Sequence, residues 1–128
     1  MRLEMHIHTK YSHDSLLCFI PLYIKLKICK IDCVAVTEHN NILGALKFKE
    51  FCKKNNLNIS VIVGEEIMTE SGEIIGLFLS RNIPKGLSAE DTIRQIREQD
   101  GIVYIPHPYD EKRNKTVLDE SVIDHLRS

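Results

Sequence analysis

Apolar and polar residues alternate at the very start of the chain. Residues 3–8 read Leu-Glu-Met-His-Ile-His, and a period of two is typical of a β-strand with one apolar and one polar face. The alternation places His6 and His8 on the same face, with Cβ atoms roughly 6–7 Å apart. Two neutral imidazoles at this spacing can bind one metal ion, although an exposed strand with two surface histidines has the same pattern.

Further along the chain, the pattern changes repeatedly between helical and strand-like segments. Strands that alternate with helices predict right-handed βαβ units and a mostly parallel sheet. Gly64 is expected to end the third strand, and Ser88 is expected to cap the last of these helices. The predicted segments are helix 21–30, strand 33–36, a helix from 41 or 44 to 54, strand 59–63, a hairpin of 67–70 with 73–79, a helix after 88 and strand 102–105.

Polar residues with metal-binding side chains follow the predicted strands in succession. In α/β folds the functional site lies at the carboxyl ends of the parallel strands. Histidines scattered over a surface would not be expected to choose these positions repeatedly, so the pattern predicts a metal site. The residues concerned are His6 and His8, Glu38 and His39, Glu65 and Glu66, and His107.

Composition narrows the classes of function. The chain has 128 residues, 43% hydrophobic and 27% charged, with a formal net charge of −1. The length and composition predict one globular domain spanning residues 1–128. The near-neutral charge does not favour nucleic-acid binding, so nucleic acid is considered only as a substrate. We expect no membrane association, because Pro21 and Lys25 interrupt the longest apolar stretch. Four cysteines without a CxxC pair, and no recognisable secretory signal, predict a cytoplasmic protein without disulfides.

Four motifs, in order, resemble those of the PHP (polymerase and histidinol phosphatase) domain family. The family's first motif, HxHT followed by SxD, has a counterpart near the N-terminus, its second motif TDH has a TEH counterpart, and its GxE and His-Pro motifs follow. The resemblance extends from residue 3 to about residue 110. The matching residues are His6-Ile7-His8-Thr9, Ser12-His13-Asp14, Thr37-Glu38-His39, Gly64-Glu65-Glu66 and Ile105-Pro106-His107-Pro108.

The resemblance implies an incomplete (β/α)7 distorted TIM-like barrel that binds two or three divalent ions (Zn, Mn or Fe). By analogy, His6 and His8 hold one ion, and Glu66 bridges it to a second ion that His107 also binds. Asp14 and His39 hold a third ion. Glu66, Asp14 and His107 would be catalytic. The implied reaction is hydrolysis of a small phosphorylated metabolite or nucleotide by a metal-activated hydroxide.

Three departures from the family pattern bear on this interpretation. Glu38 replaces the usual Asp and would orient a metal ligand by hydrogen bonding. Glu73 stands where many members have a metal-binding His, and the sequence leaves open whether it ligates. The family's C-terminal Asp and His motif is absent, and the chain provides about four or five of seven strands. The domain is therefore expected to be truncated at its C-terminal side and to associate with itself or with a partner chain that completes the barrel.

Two other functions remain open from the sequence. One is a degenerate PHP module that binds metal without activity of its own, which the missing C-terminal ligands favour. The other is an amidohydrolase-like metal hydrolase, a family that also begins with an HxH strand. The Thr-Glu-His, Gly-Glu-Glu and Pro-His-Pro elements of this chain fit the phosphoesterase better.

Overall fold

A computed structural model describes residues 1–9 and 19–106 as three helices and one curled, five-stranded sheet. The sheet has the strand order β1-β2-β3-β4-β5, so neighbours in sequence are neighbours in space. The elements are β1 (Leu3–Ile7), α1 (Phe19–Ile28), β2 (Cys33–His39), α2 (Leu43–Lys54), β3 (Ser60–Thr69), β4 (Gly72–Leu77), α3 (Ala89–Glu98) and β5 (Ile102–Tyr104).

The strands of the sheet do not all run in the same direction. β1, β2 and β3 are parallel, whereas β4 is antiparallel to both β3 and β5. Half of the described pairings are therefore antiparallel, which corrects the expectation of a mostly parallel sheet. The reversal comes from the β3–β4 hairpin, which the turn residues Ser71 and Gly72 predict correctly. The result is a mixed α/β half-barrel, consistent with part of a TIM-like barrel.

The sequence predicted that Gly64 ends β3, but the structure places this glycine in the middle of the strand. A Cβ atom at this position would lie 2.8 Å from the carbonyl oxygen of Gly76 and 2.9 Å from a methyl carbon of Thr37. The glycine therefore allows close packing within the sheet rather than breaking the strand. Because β3 continues to Thr69, Glu65 and Glu66 lie inside a strand with fixed and opposite side-chain directions.

The two faces of the sheet contact different groups of residues. On β2, Val34 and Val36 belong to the main core with the three helices, whereas Ala35 packs with Ile75 and Leu77 on the opposite face. The helices therefore cover one face. His39 has the same strand parity as Ala35, and it points to the face away from the helices.

Candidate metal centre

His6, His8 and Glu66 form a compact group of ligand atoms. The Nε2 atoms of the two histidines are 3.2 Å apart, and each lies 3.1 Å from Oε2 of Glu66. Bonds of about 2.0–2.1 Å to one ion require ligand atoms roughly 3.0–3.4 Å apart. The three atoms have this spacing, so the group fits a divalent metal ion.

An irregularity in β1 brings the two histidines together. The register with β2 shifts between Glu4 and Ile7. Met5 consequently packs on the face away from the helices, whereas Ile7 packs in the main core, so the simple alternation predicted for residues 3–8 is wrong. An extra residue in a strand re-aims the side chains beside it. Here the irregularity leaves both imidazoles directed at Glu66.

The Glu4 side chain supports this irregular segment. Its Oε1 atom accepts hydrogen bonds from the backbone N–H groups of Met5, at 3.1 Å, and His6, at 3.3 Å. Backbone donors that leave the regular ladder need other acceptors, and the Glu4 carboxylate provides one. Sequence reasoning missed this role because it treated Glu4 only as a polar residue of a regular strand.

A second group consists of His39, Glu66 and Glu73. Nδ1 of His39 lies 3.4 Å from Oε2 of Glu66 and 3.9 Å from Oε2 of Glu73. The ring of His39 stacks on that of His8 with centroids 4.3 Å apart, so the two groups are adjacent. Each group could hold one metal ion, and Glu66 belongs to both. The sequence left the role of Glu73 open. The structure places Glu73 in one ligand group with Glu66, the predicted bridging residue.

The shared Glu66 carboxylate is 2% exposed, yet its environment favours the charged form. Burial alone would raise the pKa of Glu66, but hydrogen bonds with His6, His8 and Glu73 outweigh it and lower the pKa below the usual range for a glutamate. Glu66 is therefore an anionic ligand over the whole physiological pH range. A buried carboxylate surrounded by imidazoles is well suited to bridging cations.

Asn40 fixes the end of β2, and the sequence analysis did not single it out. Its backbone N–H donates to the carbonyl oxygen of Glu66 at 2.9 Å, and its Oδ1 atom accepts from the N–H of Met68 at 2.9 Å. The residue has a φ of 53°, in the left-handed region that Asn tolerates better than most residues. These bonds tie the residue after His39 to β3, beside Glu66.

Glu38 lies on the helix-covered face and contacts the residue that follows His8. Its Oε1 atom accepts a hydrogen bond from the N–H of Thr9 at 2.6 Å, and burial raises the pKa of Glu38. Gly44 also packs closely against Glu38, since a Cβ atom at Gly44 would lie 2.8 Å from the Glu38 side chain. This contact is compatible with the predicted orienting role, which stays a prediction.

Glu65 points away from the metal-binding groups. It is completely buried, and its Oε1 atom accepts a hydrogen bond from the N–H of Ile83 at 2.9 Å. Its Oε2 atom has no hydrogen-bond partner within the described part of the chain. Asp14 and His107 lie outside the described residues, so their predicted roles stay predictions, as does the predicted pairing of Asp14 with His39.

A comparison with family models shows which family these residues represent. The PHP domain model matches residues 4–122, which is most of the chain. The chain therefore belongs to the PHP domain family. This match confirms the family resemblance that the sequence motifs had indicated. Membership of this family, together with the site, indicates a metal-dependent hydrolase.

Two curated relatives come from the archaeon Methanocaldococcus jannaschii. The uncharacterized protein MJ1587 is 45% identical over 120 residues, which cover 85% of this chain and 68% of the relative. The uncharacterized protein MJ0417 is 34% identical over 126 residues, which cover 97% of this chain and 46% of the relative. The chain thus spans about two thirds of one relative and under half of the other.

A similar solved structure is that of an amidohydrolase from Chromobacterium violaceum, with bound sulfate and no metal. The TM-score is 0.53 at 16% identity, and the match covers 77% of this chain and 33% of the amidohydrolase. At this identity the likeness concerns the fold. It supports the description of the sheet as part of a larger TIM-like barrel.

Proposed function

We propose that the chain is the N-terminal part of a metal-dependent phosphoesterase that hydrolyses a small phosphorylated metabolite or a nucleotide. The observation that carries the proposal is the sharing of one buried carboxylate, Glu66, by two adjacent ligand groups. Phosphoester hydrolysis is the reaction for which paired metal sites are widely used. The proposal includes a (β/α)7 barrel whose remaining strands come from further sequence or from a partner chain.

The residues of this chain have distinct tasks in the proposed site. His6 and His8 would each present a neutral Nε2 lone pair, and Glu66 would contribute a negative charge to both groups. Divalent ions bound there would act as Lewis acids on a phosphoryl group and lower the pKa of a water molecule. The partial exposure of His6, 27%, and of His8, 20%, leaves the site open to a substrate on that side.

Asp14 and His107 remain proposed ligands and catalytic residues. The proposed metals are zinc, manganese or iron, because imidazole and carboxylate ligands suit these ions. The proposed location is the cytoplasm, which rests on the cysteine pattern of the sequence. Among the described residues, no helix combines the length and apolar character needed to cross a bilayer.

Metal content and activity test the proposal together. The purified chain is incubated with zinc or manganese, dialysed and analysed by elemental mass spectrometry, and then assayed with p-nitrophenyl phosphate. We expect retained metal, little or no hydrolysis by the chain alone, and metal-dependent hydrolysis once the missing C-terminal strands are supplied. The combined change His6→Ala and His8→Ala should remove the first ion, and Glu66→Gln should abolish hydrolysis. The exposed hairpin variant Glu70→Gln is a matched control and should behave as the wild type.

Each result has a clear meaning for the proposal. Unchanged metal content in the double histidine variant would show that the site is not a metal centre. Retained metal without hydrolysis of any phosphoester, even after the missing strands are supplied, would favour the degenerate PHP module instead. That alternative keeps its support from the limited share of the relatives that this chain spans.

A further inference from the structure

The two ligand groups of the proposed metal centre differ in chemical composition. The first contains two imidazoles and one carboxylate, from His6, His8 and Glu66. The second contains one imidazole and two carboxylates, from His39, Glu66 and Glu73. Glu73 is responsible for the difference, since a histidine at this position would give both groups the same set of atoms.

Ligand type influences which divalent ion a site prefers. Imidazole nitrogen suits zinc and iron, whereas carboxylate oxygen suits harder ions such as manganese and magnesium. Resting on the proposed function, we infer that the centre is asymmetric: the His6–His8–Glu66 group prefers zinc-like ions, and the His39–Glu66–Glu73 group discriminates much less against manganese. With zinc limiting and manganese in excess, the chain would hold one ion of each kind.

Glu73 occupies a position that favours direct ligation. Its side chain is 3% exposed, so water would not fully solvate a carboxylate charge at this position. It lies near the start of β4, one residue pair from the hairpin turn, where its register partner is Met68 and where the next residues, Ile74 and Ile75, are completely buried. This packing fixes the backbone that carries the carboxylate. A buried acidic group held beside Glu66 and His39 is explained by a cation that all three bind.

The affinity order of the ions makes limiting zinc essential to the test. Zinc binds most nitrogen and oxygen sites more tightly than manganese does, so excess zinc would fill both groups. The chain is therefore loaded with one equivalent of zinc, and manganese is then titrated in. Electron paramagnetic resonance measures free manganese at equilibrium, since the sharp six-line signal of the hydrated ion disappears on binding. We expect one manganese ion to bind per zinc-loaded chain.

Glu73→His isolates the contribution of the second carboxylate. This variant should bind its second zinc ion more tightly than the wild type does and should lose manganese affinity by roughly tenfold or more, a change typical of an altered metal environment. Glu70→His adds an imidazole to the exposed part of the same hairpin and should leave both affinities unchanged. Glu73→Gln keeps the size of the side chain and cannot ionise, so it should weaken manganese binding without strengthening the binding of a second zinc ion.

The outcomes separate this inference from the proposed function. Wild-type protein that binds zinc but no manganese, or a Glu73→His variant with the wild-type ratio of zinc to manganese affinity, would overturn the inference and leave the phosphoesterase proposal standing. Absence of any metal binding would overturn both. Circular dichroism verifies the fold of each variant, and if Glu73→His does not fold, the wild-type titration and Glu73→Gln decide the question.

Discussion

The buried carboxyl group of Glu65 should make the stability of this chain depend on pH. The side chain is completely buried on the helix-covered face of β3, and burial raises its pKa from 4.5 to about 7. The hydrogen bond from the N–H of Ile83 lowers the pKa but does not compensate for burial. The informative change is Glu65→Gln, which preserves the shape and an acceptor for Ile83 but cannot ionise.

The direction of the effect follows from the two protonation equilibria. Below pH 4.5 the carboxyl group is protonated in both folded and unfolded chains. Between pH 4.5 and about 7 the unfolded chain releases the proton while the folded chain keeps it, so stability falls as the pH rises. At 1.36 kcal/mol per pH unit, the loss from Glu65 is about 3 kcal/mol above pH 7.

Urea unfolding at pH 5 and pH 8, with a chelator present to exclude metal binding, measures this loss. The free energy of unfolding of Glu65→Gln relative to wild type should increase by about 2.5 kcal/mol between the two pH values, since a small part of the loss has already occurred at pH 5. Using the difference between variants removes the contribution of the other ionisable groups. The exposed variant Glu70→Gln should show no such increase. A difference for Glu65→Gln that is equal at pH 5 and pH 8 would refute the reasoning.

Two further predictions concern Asn40 and the exposed face of α1. Asn40→Ala should destabilise the chain by about 1–3 kcal/mol in urea unfolding, because it leaves the Met68 N–H unpaired and places alanine at positive φ. Asn40→Asp should restore most of this loss, and equal stability of all three proteins would contradict the assignment. Separately, the chain should self-associate in light scattering, and Ile24→Glu should reduce association, because Ile20, Ile24 and Ile28 are 62%, 51% and 76% exposed. A monodisperse wild-type monomer would exclude self-association.

The general location of the metal centre could be predicted from sequence because it depends on few interactions. Strand ends follow from short apolar runs, and parallel neighbours bring those ends to one edge of a sheet. His6, His8 and His39 were predicted on this basis, and the family resemblance selected Glu66 over Glu65; the structure brings all four together. Such a prediction needs no knowledge of detailed packing.

The features that the sequence did not predict depend on contacts between distant residues. The β1 irregularity reflects its register with β2, and β3 continues through Gly64 as it pairs with β4, where Gly76 approaches the glycine closely. Asn40 acquires its role only when β3 supplies the partners for its backbone and side chain. None of these partners is apparent from local periodicity, which explains why the ligands were easier to predict than the residues that position them.

The adjacent residues Glu65 and Glu66 show how the sheet assigns different properties to identical side chains. Strand alternation directs Glu66 towards the metal-binding groups, where hydrogen bonds with His6, His8 and Glu73 lower its pKa, and directs Glu65 into the main core, where burial raises its pKa. Glu66 is therefore an anion that can bind cations at all physiological pH values, whereas Glu65 is about half protonated at pH 7. A shift of one residue in the β3 register would exchange these environments. The hydrogen bonds of Asn40 to Glu66 and Met68 oppose that shift and so help maintain the proposed centre.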